Sequence, residues 1–155
     1  MTAARRLSEL GLTLPSVAAP IGSYQPAVAV GDMAYTSGQL PMVDGKLSQV
    51  GKLGADVTVE DAAAAARTAA LNAVAAVAGI AGGIDAIAKI VKITVFVSGT
   101  PDFDAQPKVA NGASDLLGEI FGADGVHARS AVGVSSLPLN SPVEVEIIAQ
   151  LSAPA

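Results

Sequence analysis

The chain contains no cysteine and no tryptophan, and its single histidine is His127. Without cysteine the protein has no disulfides and no thiolate metal ligands, and one histidine cannot by itself build a histidine metal centre. A metal held only by carboxylates is conceivable, but nothing in the sequence supports one. We therefore expect no metal site.

Positive charge is also scarce. Nine Lys and Arg stand against fourteen Asp and Glu, so the net charge is -5, and the basic residues are scattered along the chain. Nucleic-acid binders depend on clustered basic residues that neutralise phosphates, so we expect no nucleic-acid partner. No run reaches the ~20 apolar residues of a membrane span, and no apolar segment follows Arg5 and Arg6. We expect a cytoplasmic protein without a membrane partner.

The 155 residues are 51% hydrophobic, enough for one domain with its own core, with residues 1–20 as an N-terminal helix and loop extension. Periodicity predicts a first helix over 3–11 and strands at 27–30, 33–37 and 46–50, with turns at Gly31-Asp32 and Asp44-Gly45. Thr58 and Asp61 approximate a capping box that opens a helix ending near residue 78. A strand at 89–98, with Val91 on its apolar face, a helix at 107–121 and strands at 130–137 and 143–151 complete the chain.

The predicted order after the first helix is β-β-β-α-β-α-β-β, an α+β fold. The last strand carries an apolar face of alternate residues and still places Ile148 on its other face. Burial on both faces of a terminal strand is more easily supplied by a neighbouring subunit than by two helices. The pattern therefore hints at an oligomer.

Charged residues stand out on the last two strands. Arg129 precedes an alternating apolar run, and Glu144 and Glu146 alternate with valines. A guanidinium can hold a carboxylate through two parallel N–H donors, which favours a pocket for a small acid. For an arbitrary arginine, a surface ion pair or a strand-end cap is the simpler interpretation.

Three blocks change that balance: Ile21-Gly-Ser-Tyr-Gln-Pro26, Tyr35-Thr-Ser-Gly-Gln-Leu-Pro41, and the segment from His127 to Glu146. In this order they resemble the signature of the Rid family, also called the YjgF/YER057c/UK114 family and labelled endoribonuclease L-PSP. The resemblance implies a chorismate-mutase-like domain, with two helices on one face of a mixed sheet, that assembles as a homotrimer.

The resemblance also implies roles for individual residues. Arg129 would clamp the substrate carboxylate, and Glu144 would orient and deprotonate the hydrolytic water. Further substrate-binding positions would be Tyr24 at the pocket mouth, Ser37, Gly38, Asn111 and Ala131. On their own, Tyr24 and Ser37 would be interpreted as packing and turn residues. His127 is interpreted as a surface or hinge residue, since no nucleophile motif surrounds it.

The leading hypothesis is an enamine/imine deaminase that converts 2-imino acids such as 2-aminoacrylate into 2-keto acids and ammonia, without a cofactor. The alternatives are an endoribonuclease or translation inhibitor, as the family label suggests, and a non-catalytic trimer that binds small carboxylates. Ala131, the altered run Val132-Gly133-Val134, and different segments at 43–57 and 98–108 set this chain apart from the best-studied deaminases, so its preferred substrate can differ.

The geometry of the last two strands predicts where the site lies. If strands 130–137 and 143–151 form a simple antiparallel hairpin turning near Asn140, Arg129 and Glu144 are offset by about seven residues, or ~23 Å. We therefore expect a site shared between adjacent subunits, in which Arg129 of one chain meets Glu144 or Tyr24 of another.

Overall fold

The computed structural model describes residues 1–17, 19–20 and 22–155; Ile21 of the first family block lies outside the described residues. Its helices are α1 (Ala3–Glu9), α2 (Val59–Ala81) and α3 (Gln106–Phe121). Its strands are β1 (Ala27–Val30), β2 (Met33–Thr36), β3 (Met42–Val43), β4 (Lys46–Leu47), β5 (Ile87–Ser98), β6 (Ala128–Val134) and β7 (Val143–Leu151). The predicted α+β class with a mixed sheet is confirmed.

Five strands form the main sheet in the order β1-β2-β7-β5-β6. Neighbours are antiparallel except β5 and β6, which run parallel and are joined through α3. The predicted hairpin between the last two strands is wrong, because β5 lies between β6 and β7. The predicted third strand over 46–50 is also wrong as a sheet strand: only Lys46–Leu47 is extended, and it pairs with Met42–Val43 in a separate two-stranded ribbon.

The turns between the first strands follow their residues. Gly31, with φ +61°, opens the β1–β2 turn, and Asp44 and Gly45 both have positive φ in the β3–β4 turn. Two consecutive residues with positive φ are typical of the tight hairpin turns that glycine and aspartate favour. Both predicted turns are therefore present, although the second closes a ribbon outside the main sheet.

Helix α2 begins where the capping box predicted, since the Thr58 Oγ1 accepts a hydrogen bond of 3.1 Å from the Asp61 backbone N–H. The helix continues to Ala81, and Gly82 ends it in the left-handed region with φ +86°. Its length and mean hydropathy would suit a membrane span, but most of it is buried. Its alanines let it lie close against the sheet and against α3 as a core helix.

The contact between α2 and α3 depends on Gly112. A Cβ at this position would lie 1.9 Å from the backbone carbonyl oxygen of Ala63. The glycine therefore allows the two helices to approach more closely than any side chain would permit. This close approach explains a glycine that weakens the intrinsic helix propensity of α3.

We expect Gly112→Ala to destabilise the fold by about 1–3 kcal/mol, since one helix must move away from the other to accommodate the methyl group. Thermal unfolding would measure the change. Gly118→Ala on the same helix is the control, because a Cβ there meets nothing within 4 Å and alanine should stabilise the helix. Equal melting temperatures for the two variants would contradict the close-packing account.

One face of the sheet is buried beneath α2 and α3. On β7 the buried residues alternate strictly, as the pattern predicted, in the series Val143, Val145, Ile147, Ala149 and Leu151. On β5 the prediction that Val91 shares the apolar face is wrong, because irregular pairing near Ile87 and near Ile90 shifts the alternation. Ile90 takes the buried position and Val91 is half-buried.

The opposite face of the sheet is open in this chain. Register places side chains of all five strands on it, and several are apolar and exposed: Val28, Val30, Tyr35 and Val132. Ile148 also lies on this face, half-buried, paired with Lys92 on one side and Tyr35 on the other. A sheet face of mixed polar and apolar side chains is thus uncovered within a single chain.

Candidate functional site

Arg129 lies near the start of the edge strand β6 and faces the helix layer, as its pairing with buried Ile93 requires. Its Nη1 donates to Asn111 Oδ1 at 2.8 Å and to Ser114 Oγ at 3.2 Å, both on α3. Within the described chain, no carboxylate pairs with the guanidinium, since the ion pairs there join Arg5 to Glu9 and Arg67 to Glu119. The structure therefore brings together Arg129 and Asn111.

Ser114 was not identified from the sequence, although it follows Asn111 by three residues and so lies on the same helix face. Its hydroxyl lies 2.9 Å from His127 Nε2, and His127 Nδ1 lies 2.6 Å from the Gly125 carbonyl oxygen. His127 is therefore more than a surface or hinge residue, because it belongs to a hydrogen-bonded chain that reaches Arg129.

Glu144 lies on the open face, between the buried residues Val143 and Val145 of β7. Two backbone hydrogen bonds between Gln39 and Val145, of 2.8 and 2.9 Å, fix the segment after β2 beside it. Burial is the main cause that raises the pKa of the Glu144 carboxyl above its ordinary value, and the nearby charge of Glu146 raises it further. Such a carboxylate is a better base near neutral pH than an exposed one.

Gly38 makes room for the Glu144 carboxylate. A Cβ at residue 38 would lie 2.2 Å from Glu144 Oε2 and 2.6 Å from its carboxyl carbon. The backbone φ of Gly38 is not positive, so its conformation does not require glycine. Glycine is needed because a side chain would occupy the space of the carboxylate. The predicted Gly38 thus contributes to the site through its small size.

We expect Gly38→Ala to displace the Glu144 carboxylate while the fold survives, because the methyl group meets the far end of a flexible side chain. If Glu144 is the base that the family resemblance implies, turnover should then fall about tenfold or more, because the base is moved from its working position. Activity and the melting temperature should be measured together. A fully active, folded Gly38→Ala protein would show that the position of Glu144 does not matter.

A small pocket of about 100 Å³ lies beside Gly38. It is mostly apolar, and its lining residues are Ala19, Pro20, Tyr24, Pro26, Gly38, Gln39, Leu40, Met42 and Leu139. Asn72 of α2 supports one wall, since its Nδ2 donates to the carbonyl oxygens of Leu40 and Met42 at 3.0 and 3.1 Å. Sequence reasoning missed this wall because a buried asparagine carries no motif.

Ser37 directly precedes the lining residue Gly38 and is hydrogen-bonded to the loop that carries Tyr24. Tyr24 lines the pocket, and the Ser37 hydroxyl donates to the Gln25 carbonyl oxygen at 2.6 Å. The Ser37 backbone N–H also donates to Pro26 O at 2.9 Å. In this chain Ser37 therefore holds the loop that carries Tyr24 against the end of β2.

The predicted site residues fall into two groups. Arg129, Asn111 and Ala131 lie on the helix-covered side at the β6 edge, whereas Tyr24, Ser37, Gly38 and Glu144 lie on or beside the open face. Arg129 is level with Ile93 and Glu144 with Phe96, an offset of three residues or ~10 Å, and β5 separates their strands. The predicted offset of seven residues is wrong, since it assumed a hairpin that does not form.

Side-chain direction separates the two groups further. Directly paired residues of a sheet project to the same face, and successive residues alternate. Arg129 projects with Ile93 and Ile147 toward the helices, but Glu144 projects with Phe96 and Val132 toward the open face. One chain therefore does not bring Arg129 and Glu144 to one small ligand.

The chain matches the model of a known protein family. A family model described as "YjgF/chorismate_mutase-like, putative endoribonuclease" matches residues 4–151. The chain belongs to the Rid family. Its fold is shared by solved structures: the protein Atu1372 of Agrobacterium tumefaciens is 42% identical, with a TM-score of 0.89, covering 97% of this chain and 92% of that one.

Three further proteins are similar to this chain. Protein TCP17 of Trypanosoma cruzi is 43% identical over 150 residues, covering 96% of this chain and 94% of that protein. A 2-iminobutanoate/2-iminopropanoate deaminase of Dermatophagoides farinae is 32% identical over 137 residues, covering 88% and 92%. Escherichia coli TdcF, solved with bound serine, is 29% identical with a TM-score of 0.63, covering 90% and 96%.

Proposed function

We propose that this Rid protein is an enamine/imine deaminase that hydrolyses 2-imino acids to 2-keto acids and ammonia. The observation that carries the proposal is the guanidinium of Arg129. It is anchored by two neutral oxygens on α3 and has no carboxylate partner in the described chain. A cation held in this way is suited to bind the carboxylate of a small ligand.

Glu144 would supply the proton transfer. The ionised carboxylate takes a proton from water as the water oxygen adds to the imine carbon, and it returns that proton to the imine nitrogen. It then transfers the hydroxyl proton of the tetrahedral adduct to the same nitrogen, which leaves as ammonia while the carbonyl forms. No oxidant, metal or cofactor enters this balance. The raised pKa of Glu144 makes its carboxylate a stronger base than an exposed one, which suits a group that takes up and returns a proton.

Assembly of several chains would bring the two groups of site residues together. We propose a homotrimer in which Arg129 and Asn111 of one chain meet Glu144, Gly38 and Tyr24 of the next. Two features support it. The two groups of site residues lie on opposite sides of the sheet in one chain. The open face also exposes Val28, Val30, Tyr35 and Val132. A second copy is the partner most suited to such a face in a symmetric assembly.

The direct test is a coupled assay with freshly generated imines of several amino acids, read as loss of imine and release of ammonia. Accelerated hydrolysis by the purified protein is expected. Binding of 2-keto acids without turnover would instead favour the non-catalytic carboxylate-binding trimer.

Mixed trimers test the shared site. Arg129→Ala and Glu144→Gln chains should each be inactive alone, and co-assembly after mild dissociation should restore part of the activity if the two residues come from different chains. The oligomeric state is tested separately by light scattering, which should give the trimer mass at micromolar concentration. A monomer mass, or no recovery in verified mixed assemblies, would contradict the proposal.

The endoribonuclease description of the family is the alternative. The net charge of -5 and the scattered basic residues give little capacity to neutralise phosphates, so any RNA binding should be lost at physiological salt. Salt-resistant RNA cleavage that depends on Arg129 would revive this alternative.

A further inference from the structure

A continuous hydrogen-bonded chain lies behind Arg129 and involves the only histidine of the protein. Arg129 Nη1 donates to Ser114 Oγ at 3.2 Å, Ser114 Oγ lies 2.9 Å from His127 Nε2, and His127 Nδ1 lies 2.6 Å from the carbonyl oxygen of Gly125. Neither Ser114 nor His127 belongs to the two groups of predicted site residues. Their arrangement therefore needs an account of its own.

The Gly125 carbonyl determines the direction of every bond in the chain. A carbonyl oxygen only accepts, so His127 Nδ1 must carry a hydrogen and donate it. In the neutral ring Nε2 is then an acceptor, and the Ser114 hydroxyl donates to it. This leaves the oxygen lone pairs of Ser114 directed at Arg129, and the hydroxyl is oriented as an acceptor for the guanidinium.

The chain also decides which edge of the guanidinium is free. Arg129 Nη1 has two hydrogens; one is donated to Asn111 Oδ1 and the other to Ser114 Oγ. Within the described chain, Nη2 and Nε donate to no residue. The Nε–Nη2 edge presents two parallel N–H groups, the geometry that holds a carboxylate at two points.

We propose that Ser114 and His127 are positioning residues that orient Arg129 so that it receives the substrate carboxylate on its Nε–Nη2 edge. This inference rests on the proposed function, since it assumes that Arg129 binds a carboxylate. His127 acts through Ser114, and Ser114 acts through Arg129. Neither residue touches the reacting atoms.

The substrate carboxylate carries the same charge before and during hydrolysis, so its binding contributes nearly equally to the ground and transition states. Ser114→Ala should therefore raise KM by about three- to tenfold, the effect of losing one modest hydrogen bond, while kcat changes by less than about twofold. Ser114→Thr retains the hydroxyl and should keep KM near the original value. Ser8→Ala on α1, where the serine is exposed, is the matched control.

A second measurement needs no turnover. Because His127 is the only histidine, a two-bond proton–nitrogen NMR spectrum shows one imidazole and identifies which ring nitrogen carries the hydrogen. The hydrogen is expected on Nδ1. The Nε2 signal should move in Ser114→Ala, where it loses its donor, and stay near its original position in Ser114→Thr. Titration of 2-ketobutyrate into each variant gives the dissociation constant that should follow KM.

The results separate this inference from the function beneath it. If Ser114→Ala changes neither the His127 signal nor ketobutyrate affinity, while Arg129→Lys weakens binding, the positioning role is wrong and the carboxylate clamp stands. If Arg129→Lys leaves affinity unchanged, the clamp itself is wrong. A liganded crystal structure adds a geometric criterion: a carboxylate bound at Nη1, displacing Ser114 or Asn111, would overturn the proposed orientation.

Discussion

Arg129→Lys is expected to lower kcat/KM for 2-imino acids by about 30- to 1000-fold, corresponding to ~2–4 kcal/mol of transition-state binding. Lysine keeps the positive charge but has no planar pair of donors. It also cannot donate to Asn111 and Ser114 from one nitrogen while presenting a second edge to the ligand. Steady-state kinetics with freshly generated imines would measure the loss.

Arg67→Lys is the matched control for this substitution. Arg67 pairs with Glu119 at 2.7 Å on the outer surface of the two helices, and a partly exposed ion pair of this kind contributes little to stability. It should keep full activity. Unchanged turnover in Arg129→Lys would show that Arg129 serves the structure of α3 and β6 and not the substrate.

Glu144→Gln is expected to lower kcat by about 10²- to 10⁴-fold, the usual contribution of a general base, because the amide cannot take a proton from water. In the unmodified protein kcat/KM should fall as pH decreases through the raised pKa of Glu144, since protonation removes the base. Glu146 raises that pKa through its charge. Glu146→Gln should therefore retain activity and shift the acid limb of the profile to lower pH.

The contribution of Glu144 to the free energy of unfolding should change with pH in the direction opposite to its contribution to activity. Its folded-state pKa is raised, so the folded chain holds this proton more tightly than the unfolded chain does. The resulting stabilisation is fully present below the unfolded pKa and is lost as pH rises through the folded pKa. At neutral pH Glu144→Gln should thus melt at the same temperature as the original protein or higher. A clear loss of stability there would contradict burial as the main cause of the shift.

Local signals predicted the elements well. Thr58 and the acidic residue three positions later specify the start of α2, and the alternation of β7 survives intact because its pairing with β5 is regular along Val143 to Ile147. The turns at Gly31 and at Asp44-Gly45 likewise depend only on the positive φ of their own residues. Each of these features depends on residues that are close in sequence, which is why pattern alone predicted them.

Strand partners were harder, because pairing is a choice among distant segments. The parallel pair of β5 and β6 was not predicted, although a helical segment joins them, as is usual between parallel strands. The short link from β6 to β7 instead suggested a hairpin, and β7 was not expected between β2 and β5. Bulges in β5 bury Ile90 in place of Val91, and the alternation of residues in the sequence gives no sign of them.

The site was predicted through motif residues, and its supporting residues were not. Arg129 and Asn111 were each assigned from the family motifs, but the hydrogen bond between them was not predicted. Ser114, Gln39 and Asn72 act through hydrogen bonds to side chains or carbonyl groups that come together only when the chain folds. Polar groups of this kind have no distinguishing sequence pattern, so only the folded structure shows them.

The placement of Arg129 and Glu144 on opposite faces of one sheet has a consequence for how catalysis would depend on protein concentration. If each complete site requires two chains, a dissociated chain can keep its helices and its sheet and still turn over nothing. Specific activity would then decline on dilution below the dissociation constant of the assembly, while circular dichroism stays constant. In the cell, the amount of active enzyme would vary more steeply than the amount of chain.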